Sequence, residues 1–272
     1  MKQIIYYLVL ASFAVLSCKK DELPQQPGPV EKTLLKDIVI QNLPSPYYHF
    51  EYASTGRLNK IGFASGALNY DVHYENERIG ELKNNIIVNK DRVQYVYDNT
   101  GKVSVLKIVN EAGDVYKRSF LLYNNDGSLK QMEWERKTAA GGFVVYRILS
   151  FTYAGDGNLF ELVEHRPFIE NVQQDVTFTD RFEEYDANTN VDGFMLLHDG
   201  SDHLPVLPNV VLQKNNPRKN VRTGDGVNYE VTYTYDYLQN KYPVKKNGVM
   251  LITSGTQEGQ TFQLRTSYTY YE

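Results

Sequence analysis

The segment from Asn188 to Asp199 carries oxygen-bearing side chains at the spacing of a calcium-binding loop. Asn188, Asn190, Asp192, Gly193 and Asp199 occupy positions 1, 3, 5, 6 and 12 of that template. The template has Asp first and Glu last, because carboxylates there supply most of the charge. The pattern therefore predicts either a calcium site or an Asn/Asp-rich connection whose side chains hydrogen-bond their own backbone.

Two histidines overlap the end of this segment. His198 and His203 have Asp199 and Asp202 between them, so a loop that folds back could bring imidazole and carboxylate ligands to zinc or a similar ion. The alternative is that both histidines are ordinary exposed loop residues. Ser201 stands beside a His and an Asp, but sequence neighbours seldom form a catalytic triad, and the chain has no Gly-x-Ser-x-Gly turn.

Aromatic side chains supply a third kind of binding chemistry. Trp134, Tyr116 and Tyr146 could offer flat faces to a sugar ring or to a hydrophobic peptide. The chain has 22 tyrosines, however, and strand propensity alone also predicts such enrichment. Exposed aromatic rings that converge in one groove would indicate glycan binding, whereas rings under the core would indicate a structural role.

Catalytic motifs are missing from the sequence. Glu133 and Glu135 have the spacing of paired carboxylates on one side of a strand, a spacing that many solvated strands share. The chain contains no Gly-rich phosphate loop, no Cys-x-x-Cys pair and no His-Glu-x-x-His motif. We therefore expect a non-catalytic binding or scaffold module without a cofactor, and a surface glycan-binding protein is the alternative.

Length and composition limit the class of protein. The chain has 272 residues, 42% of them apolar, and its 29 Lys and Arg against 33 Asp and Glu give a net charge of −4. These values exclude a disordered, collagenous or polytopic membrane protein. The mild acidity argues against a nucleic-acid partner, which would require a basic face.

The N-terminus predicts export and lipid attachment. Lys2 precedes the short apolar run Ile4 to Leu16, which is typical of a signal peptide over residues 1–17 and is too short to span a bilayer comfortably. The sequence Val15-Leu16-Ser17-Cys18 resembles the lipobox of bacterial lipoproteins, which implies a diacylglycerol on Cys18. A plain secretory signal is the alternative. Since Cys18 is the single cysteine, no intrachain disulfide can form.

A tether follows the predicted lipid. Residues 18–32 combine Pro24, Pro27 and Pro29 with polar residues, which predicts an extended spacer. Its beginning, Lys19-Lys20-Asp21-Glu22, is similar to the charged tracts of surface-exported lipoproteins in the Bacteroidetes. This implies an outer-membrane location on the cell surface, with a periplasm-facing orientation as the alternative. The membrane contact is expected through this lipid only, and the partner is expected to be a glycan or an envelope protein.

An internal repeat sets the expected fold. A Tyr is followed four residues later by Gly, two residues after the Gly by Leu or Val, and three residues after that by Leu, Ile or Met. The copies begin at Tyr52, Tyr97, Tyr123 and Tyr153, and a shortened copy begins at Tyr74. Period-two alternation precedes each Tyr, and turn-forming residues lie between Tyr and Gly. In the shortened copy Glu77 and Arg78 occupy the place of the turn Gly, so that hairpin should have a different turn.

The repeats predict an all-β domain over residues 33–272. We expect an antiparallel meander of hairpins that forms one large curved or partly closed sheet, and residues 192–199 could form one short helix. The last strand, Phe262 to Tyr271, is expected at an edge, where its polar residues discourage further pairing. A membrane-spanning wall is not expected, because charged residues such as Arg118, Lys130, Glu133, Glu135 and Arg136 fall in or beside the strands.

The repeats also resemble known families. Tyr95-Val96-Tyr97-Asp98-Asn99-Thr100-Gly101 is similar to the YD repeat of Rhs-type shells and related bacterial surface proteins. Tyr185-Asp186, Asn215 to Lys219 and Tyr233 to Asp236 resemble a family of uncharacterised Bacteroidetes lipoproteins, a domain of unknown function with a porin-like β fold. The resemblance spans roughly residues 33–272 and implies architecture and an envelope location. It implies no activity.

Overall fold

The computed structural model describes residues 33–198 and 206–271. The predicted signal peptide, Cys18 and the tether lie outside these residues. The predicted ligands Asp199 and His203 also lie outside them.

The described residues form sixteen β-strands, each joined to the next by a turn or loop. In chain order they are Leu34–Ile40 (β1), Tyr48–Tyr52 (β2), Leu58–Phe63 (β3), Leu68–Glu75 (β4), Arg78–Asn84 (β5), Arg92–Tyr97 (β6), Val103–Val109 (β7), Val115–Tyr123 (β8), Leu129–Lys137 (β9), Phe143–Tyr153 (β10), Leu159–Arg166 (β11), Val176–Thr189 (β12), Asn215–Gly224 (β13), Asn228–Tyr237 (β14), Pro243–Ser254 (β15) and Thr261–Tyr271 (β16).

The strands form a closed antiparallel barrel. Each strand pairs with the next in the chain, and β1 completes the ring because Ile38 lies opposite Tyr48 of β2 and Tyr268 of β16. The expectation of a curved or partly closed sheet is therefore wrong, and so is the expectation that β16 is an edge strand. Alternating polar and apolar residues suit a closed wall and a protected edge equally well, so the sequence pattern does not distinguish them.

A β-bulge explains why the repeat places its apolar residues three apart. Tyr97 lies opposite Val103 but Val96 lies opposite Val105, which leaves one extra residue in β7. The extra residue reverses the alternation of faces. Val103 and Leu106 consequently both point into the barrel, where they are completely buried. The same register shift follows Tyr52, Tyr74, Tyr123 and Tyr153.

The tyrosines of the repeat join each hairpin to the preceding one. Six hydroxyls, three from the repeat and three at similar positions later in the chain, donate hydrogen bonds of 2.5 to 2.8 Å to a backbone carbonyl of the preceding strand: Tyr74 to Leu58, Tyr97 to Ile79, Tyr123 to Val103, Tyr185 to Leu159, Tyr235 to Pro217 and Tyr270 to Pro243. At the equivalent position of β10 the Tyr153 hydroxyl is buried beside Leu129 without forming this bond. Burial raises the pKa of Tyr123 to about 12, so this hydroxyl remains a donor at neutral pH.

The turns follow the chemistry of their residues. Gly101 has φ 84° and donates to the carbonyl of Asp98, which closes a three-residue hairpin loop in a backbone region that favours glycine. In the shortened copy, Asn76 and Glu77 adopt φ values of 47° and 69° instead, so this hairpin has a different turn, as predicted. The residue after the turn often covers the next tyrosine, as Arg57 does 4.0 Å from the ring centre of Tyr74.

Helical structure is limited to two 3₁₀ turns in the described part of the chain, Ala64–Gly66 and Gly193–Leu197. The second lies where a short helix was expected. Neither has the length or the apolar content that a transmembrane helix requires.

Removal of one tyrosine hydroxyl of the repeat should weaken the barrel. Tyr97→Phe keeps the ring under Arg78 but leaves the carbonyl of Ile79 without this donor, which should lower the free energy of unfolding by about 1–3 kcal/mol. The measurement is urea unfolding followed by circular dichroism. Tyr242→Phe is the control, because the Tyr242 hydroxyl makes no hydrogen bond to another described residue. Equal unfolding curves for both variants would contradict a stabilising role.

Candidate functional site

The connection between β12 and β13 turns into the barrel. Its described parts, residues 190–198 and 206–214, are called the plug below. Leu197, Leu207 and Leu212 of the plug are buried in the same apolar cluster as the inward side chains of the wall. The barrel interior is therefore filled by a segment of the chain as well as by side chains of the strands.

Hydrogen bonds attach the plug to strands on different sides of the barrel. Arg147 of β10 donates to the Leu197 carbonyl at 3.1 Å, and Tyr95 of β6 donates to the Val206 carbonyl at 2.8 Å. Arg147 is itself paired with the buried Glu164 of β11 at 2.9 Å. Buried polar groups require such partners, so these bonds fix the path of the plug through the lumen.

Asp192 joins the plug to the wall of the barrel. Its carboxylate accepts hydrogen bonds from Tyr268 at 2.6 Å, Lys246 at 3.0 Å and Asn190 at 3.1 Å. Burial opposes ionisation of Asp192, but the charge of Lys246 and the hydrogen bonds outweigh it, so the pKa of Asp192 lies below its ordinary value. The plug and the wall from β15 to β16 are therefore joined by a buried ion pair.

A second ion pair lies on the neighbouring wall. Asp180 of β12 accepts two hydrogen bonds from the guanidinium of Arg222 in β13, one of them 3.0 Å from Nε to Oδ1. The guanidinium also lies 4.3 Å from the ring centre of Phe178 and 5.1 Å from that of Tyr229. These contacts hold the Arg222 guanidinium in one orientation.

A chamber separates the plug from the wall formed by β12 to β16. It consists of two adjoining cavities of about 260 and 230 Å³, which share Asp192, Met195, Tyr233 and Lys246. The first cavity also reaches the Asp180–Arg222 pair and Tyr229, and the second extends to the exposed loop residues Gln41 and Asn42. The chamber is thus polar, partly aromatic and connected to one end of the barrel.

Glycine shapes one side of this chamber. Gly248 of β15 lies opposite Tyr233 of β14, and a Cβ atom at Gly248 would lie 3.0 Å from the Tyr233 ring. The absence of a side chain therefore lets the ring lie close over the strand. Lys246 covers the same ring, 4.7 Å from its centre.

The predicted metal ligands have other roles where they are described. The Asn190 side chain accepts hydrogen bonds from the backbone of Gly193 at 2.7 Å and of Asp192, as expected of the alternative in which these residues bond their own backbone. Asn188 donates to the side chain of Asp186. The Nδ1 atom of His198 lies 3.0 Å from the Tyr48 hydroxyl.

These contacts do not assemble a metal site. Within residues 33–198 and 206–271, no three His, Cys, Asp or Glu side chains are grouped to hold a metal ion. Asp199 and His203 fall outside that part of the chain, so the predicted calcium and zinc loops stay predictions.

The predicted aromatic platform is not open. Trp134 is 3% exposed and Tyr146 is 8% exposed, both on the inner side of the wall. Tyr116 is half-buried and its hydroxyl donates to Asp91. Glycan binding through these three residues remains a prediction that their burial does not favour.

Sequence reasoning missed the residues of the chamber. These residues follow the period-two alternation of any strand: Arg222, Lys246, Tyr229 and Tyr233. A polar residue that faces a lumen has the same sequence pattern as one that faces solvent. The excess of tyrosine in β14 was the one available signal, because four of its ten residues are Tyr.

Comparison with known proteins identifies the fold. No family model and no curated protein matches the chain. Among solved structures, it is similar to a porin-like protein from Bacteroides vulgatus ATCC 8482, with a TM-score of 0.58 and 16% identity over 88% of this chain and 99% of that one. It is also similar to a porin-like protein from Bacteroides uniformis ATCC 8492, with a TM-score of 0.56 and 14% identity over 82% of this chain and 89% of that one. The chain therefore has a porin-like β fold.

Proposed function

We propose that the chain is a lipid-anchored protein of the cell envelope whose plugged barrel binds a small polar ligand in the chamber. The ligand class that fits best is a neutral saccharide unit. The observation that supports this most strongly is the combination of two tyrosine rings with two compensated ion pairs around one cavity that reaches the barrel end.

The charges of the chamber favour a neutral ligand. Arg222 is compensated by Asp180, and Lys246 is compensated by Asp192, so neither pair leaves an excess of either sign. The same groups, with Asn220 beside them, present both donors and acceptors to hydroxyl groups. The Tyr229 and Tyr233 rings add apolar surface beside these polar groups, and a sugar ring has both apolar and polar parts.

The size and bonding of the site favour binding without catalysis. The adjoining cavities, of about 260 and 230 Å³, fall only when taken together within the usual range for ligand pockets, roughly 300–1,000 Å³. Both carboxylates are held by cations, and the lowered pKa of Asp192 makes it a poor proton donor at neutral pH. We therefore retain a binding role.

The envelope location rests on two observations. The lipobox-like sequence ending at Cys18 supports attachment to a membrane, and the porin-like proteins from Bacteroides supply the matching fold. The outer wall of the barrel carries ion pairs, including Arg181 with Glu161 at 2.9 Å and Lys219 with Glu230 at 3.2 Å. Since Arg or Lys at the lipid midplane costs about 2–4 kcal/mol each, this wall is suited to water.

Binding in the chamber can be tested by calorimetric titration of mono- and disaccharides. Tyr233→Leu removes one ring and should weaken the binding of a sugar ligand about tenfold, whereas Tyr233→Phe keeps the ring and should stay within about threefold. Tyr242→Leu, outside the chamber, is the control and should not change the affinity. Thermal unfolding of each variant checks that the barrel is intact.

Two results would contradict the chamber as the site. One is a set of saccharides that all fail to bind the intact protein. The other is a saccharide whose affinity is unchanged in Tyr233→Leu.

The anchor is tested independently in a bacterial host that processes lipoproteins. The natural chain should incorporate labelled palmitate and sediment with membranes, because Cys18 carries the acyl chains. Cys18→Ser should lose the label and be released from membranes by a high-salt wash that leaves the natural chain bound. Membrane sedimentation with palmitate label in the Cys18→Ser variant would show that the anchor lies elsewhere.

A further inference from the structure

The loop between β5 and β6 has an apolar tip. Ile87 is 92% exposed and Val88 is 91% exposed, although both are aliphatic and adjacent. Scattered exposed apolar residues are common, but two neighbours that are almost completely exposed at the end of a loop have no partner in the barrel. The tip therefore extends from the rim toward the surroundings.

The neighbouring loops at the same end of the barrel are also apolar or uncharged. The β1–β2 loop carries Leu43, which is 44% exposed, and the β3–β4 loop contains the exposed Ala67. Neither loop contains an acidic residue. Together with the Ile87–Val88 tip, these loops form one sector of the rim, which we call the apolar sector.

Lysines flank the tip in the chain and in space. Lys83 and Lys90 line a cavity of about 600 Å³ on the outer side of this loop, together with Arg92 and His73. The Lys90 ammonium donates to the Asn85 carbonyl. Lys83 forms no ion pair with another residue in the described part of the chain. The ammonium groups of Lys83 and Lys90 can therefore both contact an anion.

Most acidic groups near these lysines are already bonded. Asp71 accepts a hydrogen bond from Asn85 at 2.9 Å, and Asp91 accepts one from Tyr116. Glu81 lies 3.7 Å from Arg92. Glu111 lines the far side of the cavity and is the one acid there that forms no ion pair or side-chain hydrogen bond among the described residues.

We propose that the apolar sector docks on a phospholipid bilayer. Ile87 and Val88 enter the interface between headgroups and acyl chains, and Lys83 and Lys90 meet the lipid phosphates. A narrow loop tip suits a fluid interface, whereas a stable protein partner needs roughly 800 Å² of complementary surface. Lysines beside an inserted apolar tip can extend their ammonium groups to the phosphate level.

If Cys18 carries the lipid, as proposed above, the length of the tether allows this docking. The chain from Lys19 to Lys32 can span at most roughly 50 Å when extended. It joins β1 at the opposite end of the barrel, and the seven residues of β1 cover about 24 Å. The tether is therefore long enough for the apolar sector to face the bilayer that holds the lipid.

The test uses vesicle flotation of the chain from residue 18 with Cys18→Ser, so that acylation contributes nothing. The vesicles contain phosphatidylcholine alone or phosphatidylcholine mixed with phosphatidylglycerol. We expect flotation with the mixed vesicles and an affinity loss of about tenfold when both Ile87→Ser and Val88→Ser are introduced. Lys83→Gln and Lys90→Gln should each lower affinity for the mixed vesicles about fivefold, and Glu111→Gln should raise it.

The matched control lies at the other end of the barrel. Val211 and Leu238 are 57% and 40% exposed, and the pair Val211→Ser and Leu238→Ser should leave flotation unchanged. The proposal is overturned if the parent chain fails to float, if the Ile87 and Val88 variant floats as well as the parent, or if the lysine variants lose nothing. Saccharide titration of the same variants separates the two proposals, because none of these residues lines the chamber.

Discussion

Closure of sixteen strands into a ring creates a lumen that the wall alone does not fill. Eight strands leave an interior just wide enough for side chains, whereas barrels with sixteen or more strands can enclose an aqueous channel. Here the plug, the described part of the β12–β13 connection, lies in that space, and Leu197, Leu207 and Leu212 join the apolar cluster of the wall. The plug is therefore part of the core, and the rest of the structure depends on it.

Polar groups inside the barrel follow from this arrangement. A segment that enters a lumen brings backbone carbonyls and side chains that need partners, and Arg147, Tyr95 and Lys246 supply them from the wall. Where the plug and wall are less tightly fitted, between β12 and β16, the polar chamber remains. The proposed ligand site is thus a consequence of how the barrel is filled.

The local unit of the wall could be predicted from sequence, but its closure could not. The Tyr-to-Gly spacing identified the hairpins. The three-residue step between apolar residues, such as Val103 to Leu106, reflects the β-bulge of the hairpin. The sequence contains no equivalent signal for pairing between β1 and β16, which depends on strands separated by the whole domain. The inward Arg222 and Lys246 were also hidden, since alternation shows two faces and does not show which one is enclosed.

The calcium-like segment shows the same limit at the level of single residues. Asn190 and Asp192 have the oxygen atoms of ligands, yet in the structure Asn190 accepts a hydrogen bond from the backbone of Gly193 and Asp192 binds Lys246 and Tyr268. A linear pattern identifies available donors and acceptors, but long-range packing selects their partners. Ile87 and Val88, by contrast, are almost completely exposed, and their exposure is the basis of the proposed membrane docking.

Hydrogen exchange measured by mass spectrometry tests the central claim most directly, because it reports whether the plug is packed inside the barrel. A plug packed in the lumen predicts that residues 193–198, and Leu207 and Leu212 in the second segment, exchange much more slowly than exposed loops, since Leu197, Leu207 and Leu212 are buried. Exchange of both segments at the rate of the exposed loop that carries Ile87 would contradict it, and would show that the lumen is not filled by this connection.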